Sequence, residues 1–279
     1  MTTATPATVP APVGGTRQSH VVADSITMLR RNLLHMIRYP ALSAFTIIGP
    51  VVFLLLFVFV LGGTLGAGLP GVDPGAGREA YLAYVLPGIL AMTIAGTAGG
   101  TATTVAMDMT EGITARFRTM AISRTSVLAG HVLGNTVQAV IAVALVLGVG
   151  LLIGFRPTGG PLEWLGAAGI IALLAYAISW LGVAMGMQSK SVESASNWPL
   201  LLTFLPFLGS GFVPAESMPA GLQEFARYQP FTPFIETLRG LLLGTELGWQ
   251  PLLAVGWCVV LIAGGFAWAM AIYERKSVR

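Results

Sequence analysis

The chain has 279 residues, 54% of them hydrophobic and 10% charged, with a formal net charge of +3 at pH 7 and a mean hydropathy of +0.77. A soluble domain carries about 25% charged residues, so the composition excludes one and predicts an all-α integral membrane protein. The single cysteine, Cys258, excludes an intrachain disulfide, and the basic residues flank apolar runs, where membrane topology accounts for them without nucleic acid.

Residues 1–18, MTTATPATVPAPVGGTRQ, are rich in Thr, Ala and Pro and read as a disordered cytoplasmic tail. They hold no apolar core, so they do not read as a cleavable signal. In residues 19–40, Val22, Ile26, Leu29, Leu33 and Ile37 recur at helical spacing, while Asp24, Thr27, Arg31, His35 and Arg38 take another face. Pro40 favours a stop. The pattern predicts a helix on the inner membrane surface, with Arg30, Arg31 and Arg38 toward lipid phosphates.

Residues 41–279 read as a six-helix transmembrane domain. A hydrocarbon core about 30 Å thick needs roughly 20 helical residues, and six runs qualify: 42–61, 81–107, 127–155, 164–187, 197–213 and 247–272, the fifth being the shortest. Alternating the sides with the N-terminus inside puts eleven of the fifteen Lys and Arg residues on one side, leaving Arg78, Arg156, Arg227 and Arg239 on the other. That asymmetry predicts that both termini are cytoplasmic.

Between the second and third spans lies TEGITARFRTMAISR, Thr110 to Arg124. Burying Asp108, Glu111, Arg116, Arg118 and Arg124 at mid-bilayer would cost about 3 kcal/mol each, so residues 108–126 are expected to form a cytoplasmic loop. Ile113, Phe117 and Met120 fall on one face of a short helix, with Glu111, Arg116 and Arg118 elsewhere around it. Such a segment is either a lipid-anchored loop obeying the positive-inside rule or a helix that docks its apolar knob into a groove on a cytoplasmic partner.

The outer connection, residues 214–246, is too long for a turn and too apolar for a solvated loop. Met218, Leu222 and Phe225 stripe one short helix; Phe234, Leu238 and Leu241 stripe a second, with Thr232 as N-cap, Pro233 at its first position and Gly244 as C-cap. Both helices are expected to dip partway into the outer leaflet, where backbone is tolerated only if covered. Within the spans, Gly96…Gly100, Gly130…Gly134 and Gly182…Gly186 make GxxxG pairs that support close helix packing.

Reactive chemistry is sparse. His20, His35 and His131 are scattered, and no cluster has metal-ligand spacing. His131 reads as a packing or interface residue. The spans are otherwise free of formal charge, which argues against a proton- or sodium-coupled pump. A P-loop needs a Gly-Lys pair, and Lys190 and Lys276 follow Ser and Arg. Uphill movement would therefore draw its energy from a separate ATPase.

Two stretches carry a resemblance: EGITARFRTMAISRTSVLAG (residues 111–130) and FVPAESMPAGLQEFARYQPFTPFIETLRGLLLG (residues 212–244). Both are similar to segments of type-2 ABC exporter permeases of the daunorubicin/doxorubicin-resistance branch, the first to their first cytoplasmic loop and the second to the segment before the last span. The resemblance runs from about Ser25 to Glu274. Ala115, Ala121, His131 and Asn135 depart from it, standing where an acid, Pro, Arg and Asp are common.

The resemblance implies six spans per subunit, a second permease subunit of the same or a similar chain, and two ATPase subunits that hold ATP and Mg, with no cofactor or metal on this chain and no catalytic residue. It makes Glu111, Ile113, Arg116, Phe117, Arg118 and Met120 the coupling contact with the ATPase, and the residues 22–39 helix a second contact. The two short outer helices then close the exit, with Phe225, Phe231, Phe234, Glu236 and Arg239 as gate residues. Phe53, Phe57, Met92, Phe204, Phe207 and Phe212 are the apolar and aromatic side chains available to a pathway, and they favour a hydrophobic or amphipathic cargo over an ion or sugar. A drug exporter is the first expectation. A lipid or polyketide-glycolipid exporter of the same build and a non-transporting scaffold or sensor paired with an ATPase are the alternatives.

Overall fold

A computed structural model of the chain describes residues 40–69, 77–110 and 124–277. All regular structure among them is helical. In chain order the elements are α1 (Pro40–Leu55), a π-helical turn (Leu56–Leu61), α2 (Gly62–Ala67), α3 (Gly77–Thr110), α4 (Arg124–Leu152), α5 (Pro161–Gln188), α6 (Val192–Asn197), α7 (Leu200–Phe204), a 3₁₀ turn (Leu205–Leu208), a second 3₁₀ turn (Ala215–Ser217), α8 (Ala220–Tyr228), α9 (Phe231–Leu243) and α10 (Gln250–Ser277).

Five stretches among the described residues are long and apolar enough to cross a membrane: Thr46–Ala67, Gly77–Thr110, Leu128–Leu152, Pro161–Gln188 and Gln250–Arg275. The first is not a plain α-helix. Pro50 lies inside α1 and removes one ladder donor, and six residues farther on the helix widens into the π turn before resuming as α2. At the start of α5, Pro161 takes the first position, where its missing N–H costs nothing, and Glu163 sits in the first turn against the positive end of the helix dipole.

The run expected as a fifth continuous span is instead broken. Ser191 caps α6 with a capping box, accepting from Ser194 N–H, and the backbone N–H of Ser191 bonds the Ser194 hydroxyl. This N-terminus also holds the exposed Glu193 carboxyl below the usual carboxylate range through its backbone N–H and the Ser191 hydroxyl. Pro199 and Pro206 then divide the segment into α7 and the 3₁₀ turn. It still crosses. Ala195 packs on Ala102 and Ala106 of α3, whereas Ser210 meets Tyr84 near the opposite end of that helix. From Ala102 to Tyr84 an α-helix rises about 27 Å, close to the thickness of a hydrocarbon core of about 30 Å. The six crossings are thus five continuous helices and one broken one.

α3 and α5 form the centre of the bundle. Their most apolar windows are 78% and 72% buried, against 22% for the first and last spans. Polar side chains inside α3 bond back to their own helix: Thr93 donates to Ile89 O at 2.7 Å and Thr97 to Ile94 O at 2.7 Å. Asn135 of α4 donates from Nδ2 to Ser179 Oγ of α5 (2.8 Å) and Thr97 Oγ1 of α3 (3.3 Å), so one amide joins three helices. Interhelical bonds of this kind contribute about 0.6 kcal/mol each.

Of the glycine pairs, Gly182…Gly186 lies at a backbone contact. A Cβ on Gly186 would stand 2.5 Å from Ala102 O and 2.9 Å from Val105 Cβ, whereas Gly96 and Gly100 have nothing within 4 Å. Gly186→Ala is therefore expected to force α3 and α5 apart at a cost of about 1–3 kcal/mol. Gly169→Ala, on the same helix but in open space, is expected to stabilise by about 0.5–1 kcal/mol. Thermal unfolding of the two variants in detergent, with opposite shifts in midpoint, checks the contact.

Candidate functional site: an aromatic cluster and a latched turn

The two ends of the bundle differ in chemistry. The end at which residues 111–123 connect α3 to α4 carries the sequence-predicted coupling residues Glu111, Ile113, Arg116, Phe117, Arg118 and Met120. These, like Arg30, Arg31 and Arg38, lie outside the described residues. The opposite end carries the two short helices and the end of the broken crossing.

At that opposite end the chain turns through Gly209, Ser210 and Gly211. A Cβ on Gly88 of α3 would overlap the Gly211 carbonyl, and one on Gly211 would stand 3.2 Å from Gly88 Cα. Only a glycine on each side permits this approach. It brings two tyrosines of α3 onto the turn: Tyr84 Oη donates to Ser210 O at 2.9 Å and Tyr81 Oη to Phe212 O at 3.2 Å.

α9 closes over the same turn. Arg239 Nη2 donates to Ser210 O (2.9 Å) and Tyr84 O (3.0 Å), Nη1 pairs with Glu236 Oε2 (2.7 Å), and the guanidinium lies 3.9 Å from the centre of the Tyr84 ring. The Ser210 N–H donates to Thr232 Oγ1 at 3.3 Å, and Gln229 Nε2 donates to Leu205 O at 3.0 Å. One arginine thus joins α9, α3 and the turn. An ionised side chain at membrane depth is costly unless paired in this way. Beside the network opens a cleft of about 840 Å³, lined among others by Tyr84, Ser210, Glu216, Arg227, Glu236 and Arg239.

Around the turn, five of the six candidate pathway residues form one aromatic cluster. Phe207 and Phe212, on either side of the glycines, stack in parallel with ring centres 4.1 Å apart. Phe57, carried by the π turn of the first span, lies 4.9 Å from Phe212 and 6.4 Å from Phe207. Phe53 lies 5.9 Å from Phe207, and Phe204 lies 6.3 Å from it. Exposure is graded across the cluster, from 4% at Phe212 to 42% at Phe53 and 58% at Phe204. The rings make a seam between the first span and the broken crossing that leads from the exposed face to the latched turn. Met92 is not among them; it is buried in the core on α3.

The sequence-predicted gate residues divide. Glu236 and Arg239 belong to the network, Phe231 and Phe234 are buried in the first turn of α9, and Phe225 is half-exposed on α8. Two expected helix details differ. Met218 lies outside α8, which begins at Ala220. α9 begins at Phe231 without a side-chain cap, because the Thr232 hydroxyl that was to cap it accepts from Ser210 instead. Pro233 still falls in the first turn, where a missing donor is harmless. Gly244 ends α9 as expected, at φ +63° with its N–H on Gly240 O.

Sequence reasoning missed Tyr81, Tyr84, Ser210 and Gln229, which carry no charge or motif, and it misplaced Asp108. α3 runs on to Thr110, so Asp108 is a helical residue, 8% exposed, rather than a solvated loop residue. Its Oδ2 lies 3.2 Å from His131 Nε2 on α4. His131, read as a packing or interface residue, thus faces a carboxylate across the two helices.

Comparison with known proteins fits this architecture. Residues 24–243 match the family model described as ABC-2 type transporter. The chain is 28% identical to the Daunorubicin resistance ABC transporter permease protein DrrB1 of Streptomyces coeruleorubidus over 257 residues, covering 92% of this chain and 88% of that one. It is 27% identical over 209 residues to the Probable doxorubicin resistance ABC transporter permease protein DrrC of Mycobacterium tuberculosis, covering 71% of each. Nodulation protein J of Rhizobium meliloti is 28% identical over 235 residues, with 80% of this chain and 82% of that one covered. The family match spans well over half of the sequence and covers both stretches singled out in it but for the last residue of the second, and the chain belongs to the ABC-2 type transporter family.

Proposed function

We propose that this permease subunit moves a hydrophobic or amphipathic, drug-like compound outward across the bacterial cytoplasmic membrane, driven by a separate ATPase that binds ATP and Mg. The observation that carries the reading is the aromatic seam Phe53–Phe57–Phe207–Phe212, which runs from an exposed face to a turn held by Arg239. Stacked rings suit a planar apolar cargo, which can replace ring–ring contacts with its own at little cost. Relatives whose names tie them to daunorubicin and doxorubicin resistance support the same cargo class.

In this reading the lysine and arginine excess faces the cytoplasm, so the 111–123 end meets the ATPase and the Arg239 end faces out. Nucleotide closes the ATPase pair, the Glu111–Met120 helices move with it, and the first, second and fifth crossings shift from inward- to outward-facing. A second permease subunit completes the pathway. The seam then opens toward the outer leaflet, and the Arg239 latch governs its outer end.

The test is affinity purification from the native host in mild detergent, with identification of what accompanies the chain. A stoichiometric ATPase whose hydrolysis daunorubicin stimulates is the expected result, and a second permease-like band would separate a mixed from an identical pair. Recovery of the chain alone, even after crosslinking through Arg124→Cys, would overturn the reading. Lipid stimulation with no response to daunorubicin would move the cargo to lipids.

A further inference from the structure

Asp108 and His131 stand at the two roots of the 111–123 loop, Asp108 in the last turn of α3 and His131 in the second turn of α4. Their side chains are only 12% and 11% exposed and lie 3.2 Å apart. Below them Val105, Leu128, Val132, Met187, Ile272 and Tyr273 form a separate apolar cluster that draws α3, α4, α5 and α10 together at this end. A carboxylate at the edge of an apolar bundle is costly unless paired, and the imidazole of His131 stands within reach of this one.

We propose that Asp108 and His131 are positioning residues that clamp the two roots of the loop, so that a displacement of the loop moves α3 and α4 as one body. α3 carries Gly88, Tyr81 and Tyr84 to the turn at the other end. α4 carries Asn135, which bonds to α3 and α5 halfway along. With the clamp closed, motion at the roots reaches the Gly209–Gly211 turn through one rigid helix pair. With it open, the loop swings on two independent helix ends and the motion is lost locally. The inference rests on the reading that an ATPase grips this loop, and the experiment separates the two.

Two reporters are introduced into a Cys258→Ala background: Thr119→Cys within the loop and Ser217→Cys on the exposed 3₁₀ turn at the far end. Each is labelled with a charged maleimide in the complex with its co-purified ATPase, with and without ATP and vanadate. In the parent, the ATPase is expected to protect Thr119→Cys, and nucleotide to change the labelling rate at Ser217→Cys. Asp108→Asn and His131→Leu are expected to keep the Thr119→Cys protection while the nucleotide response at Ser217→Cys falls roughly fivefold or more, the range of a typical coupling energy. His131→Arg, which puts a polar donor opposite Asp108, is expected to restore the response that His131→Leu loses, which a purely packing role for His131 would not do.

Full nucleotide response at Ser217→Cys in both Asp108→Asn and His131→Leu would overturn the clamp, as would a parent with no far-end response. A parent whose Thr119→Cys is unprotected would instead overturn the reading of the loop. Retained protection in the variants shows that they are folded and docked, so loss of the far-end response cannot be ascribed to misfolding.

Discussion

Arg239→Met is expected to destabilise the protein by about 3 kcal/mol and to abolish export. The guanidinium makes four contacts at once: Glu236 Oε2 at 2.7 Å, Ser210 O at 2.9 Å, Tyr84 O at 3.0 Å, and the Tyr84 ring at 3.9 Å. Methionine fills similar space but leaves the Glu236 carboxylate and the Tyr84 carbonyl without this partner. Breaking a buried pair costs about 3–5 kcal/mol, and the lower end applies because the Glu236 side chain is 31% exposed. Ser210 O keeps the Tyr84 hydroxyl, so the turn should loosen rather than unfold. Arg239→Lys separates charge from geometry. A lysine can reach Glu236 but has no planar fork to span two carbonyls and no flat face for the ring. It is expected to recover part of the melting midpoint and little of the export. Equal export from Arg239→Lys and the parent would mean that charge alone holds the turn.

Most of the architecture is legible in the sequence because bilayer thickness sets a length that an apolar run either meets or does not. Four of the spans are continuous α-helices near their expected limits, and the first differs by its π turn. That turn has no sequence signal beyond Pro50, six residues before it begins. The broken crossing could have been read from Pro199, Pro206 and the Gly209–Gly211 pair, each of which interrupts a helix ladder. Counting apolar residues passes over them. Glycine pairs show the limit of motif reading: Gly96…Gly100 and Gly182…Gly186 look alike, yet only the second lies against a neighbouring backbone. Which face of a helix meets its partner is a property of the bundle, not of four residues.

Polar contacts were the hardest to foresee. Thr232 has the right residue type and place for an N-cap, but the Ser210 N–H, 22 positions away, takes its hydroxyl. Asp108 and His131 are each unremarkable alone and informative only as neighbours. The five phenylalanines, read as candidates for an apolar path, lie together because the two segments that carry them pack side by side.

The second large effect falls on the 111–123 loop. Phe117→Glu and Glu111→Arg are each expected to abolish export while leaving membrane insertion and protein level unchanged. Phe117 is the centre of the Ile113, Phe117, Met120 stripe, the kind of aromatic anchor that dominates a helix-in-groove contact. Losing such an anchor costs roughly 2–4 kcal/mol of binding, and the carboxylate put in its place would also have to be desolvated in an apolar groove. Glu111→Arg reverses the sign of the one acid between Thr110 and the arginines that follow, so a basic partner it attracts would be repelled. Retention of the ATPase on affinity purification, measured beside daunorubicin efflux, distinguishes failed docking from a failed pathway. Lost efflux with the ATPase released places the defect at the loop. Normal efflux from both variants would return Glu111–Met120 to a lipid-anchored loop, and with it the reason for so much charge between two apolar helices would have to be sought in topology alone.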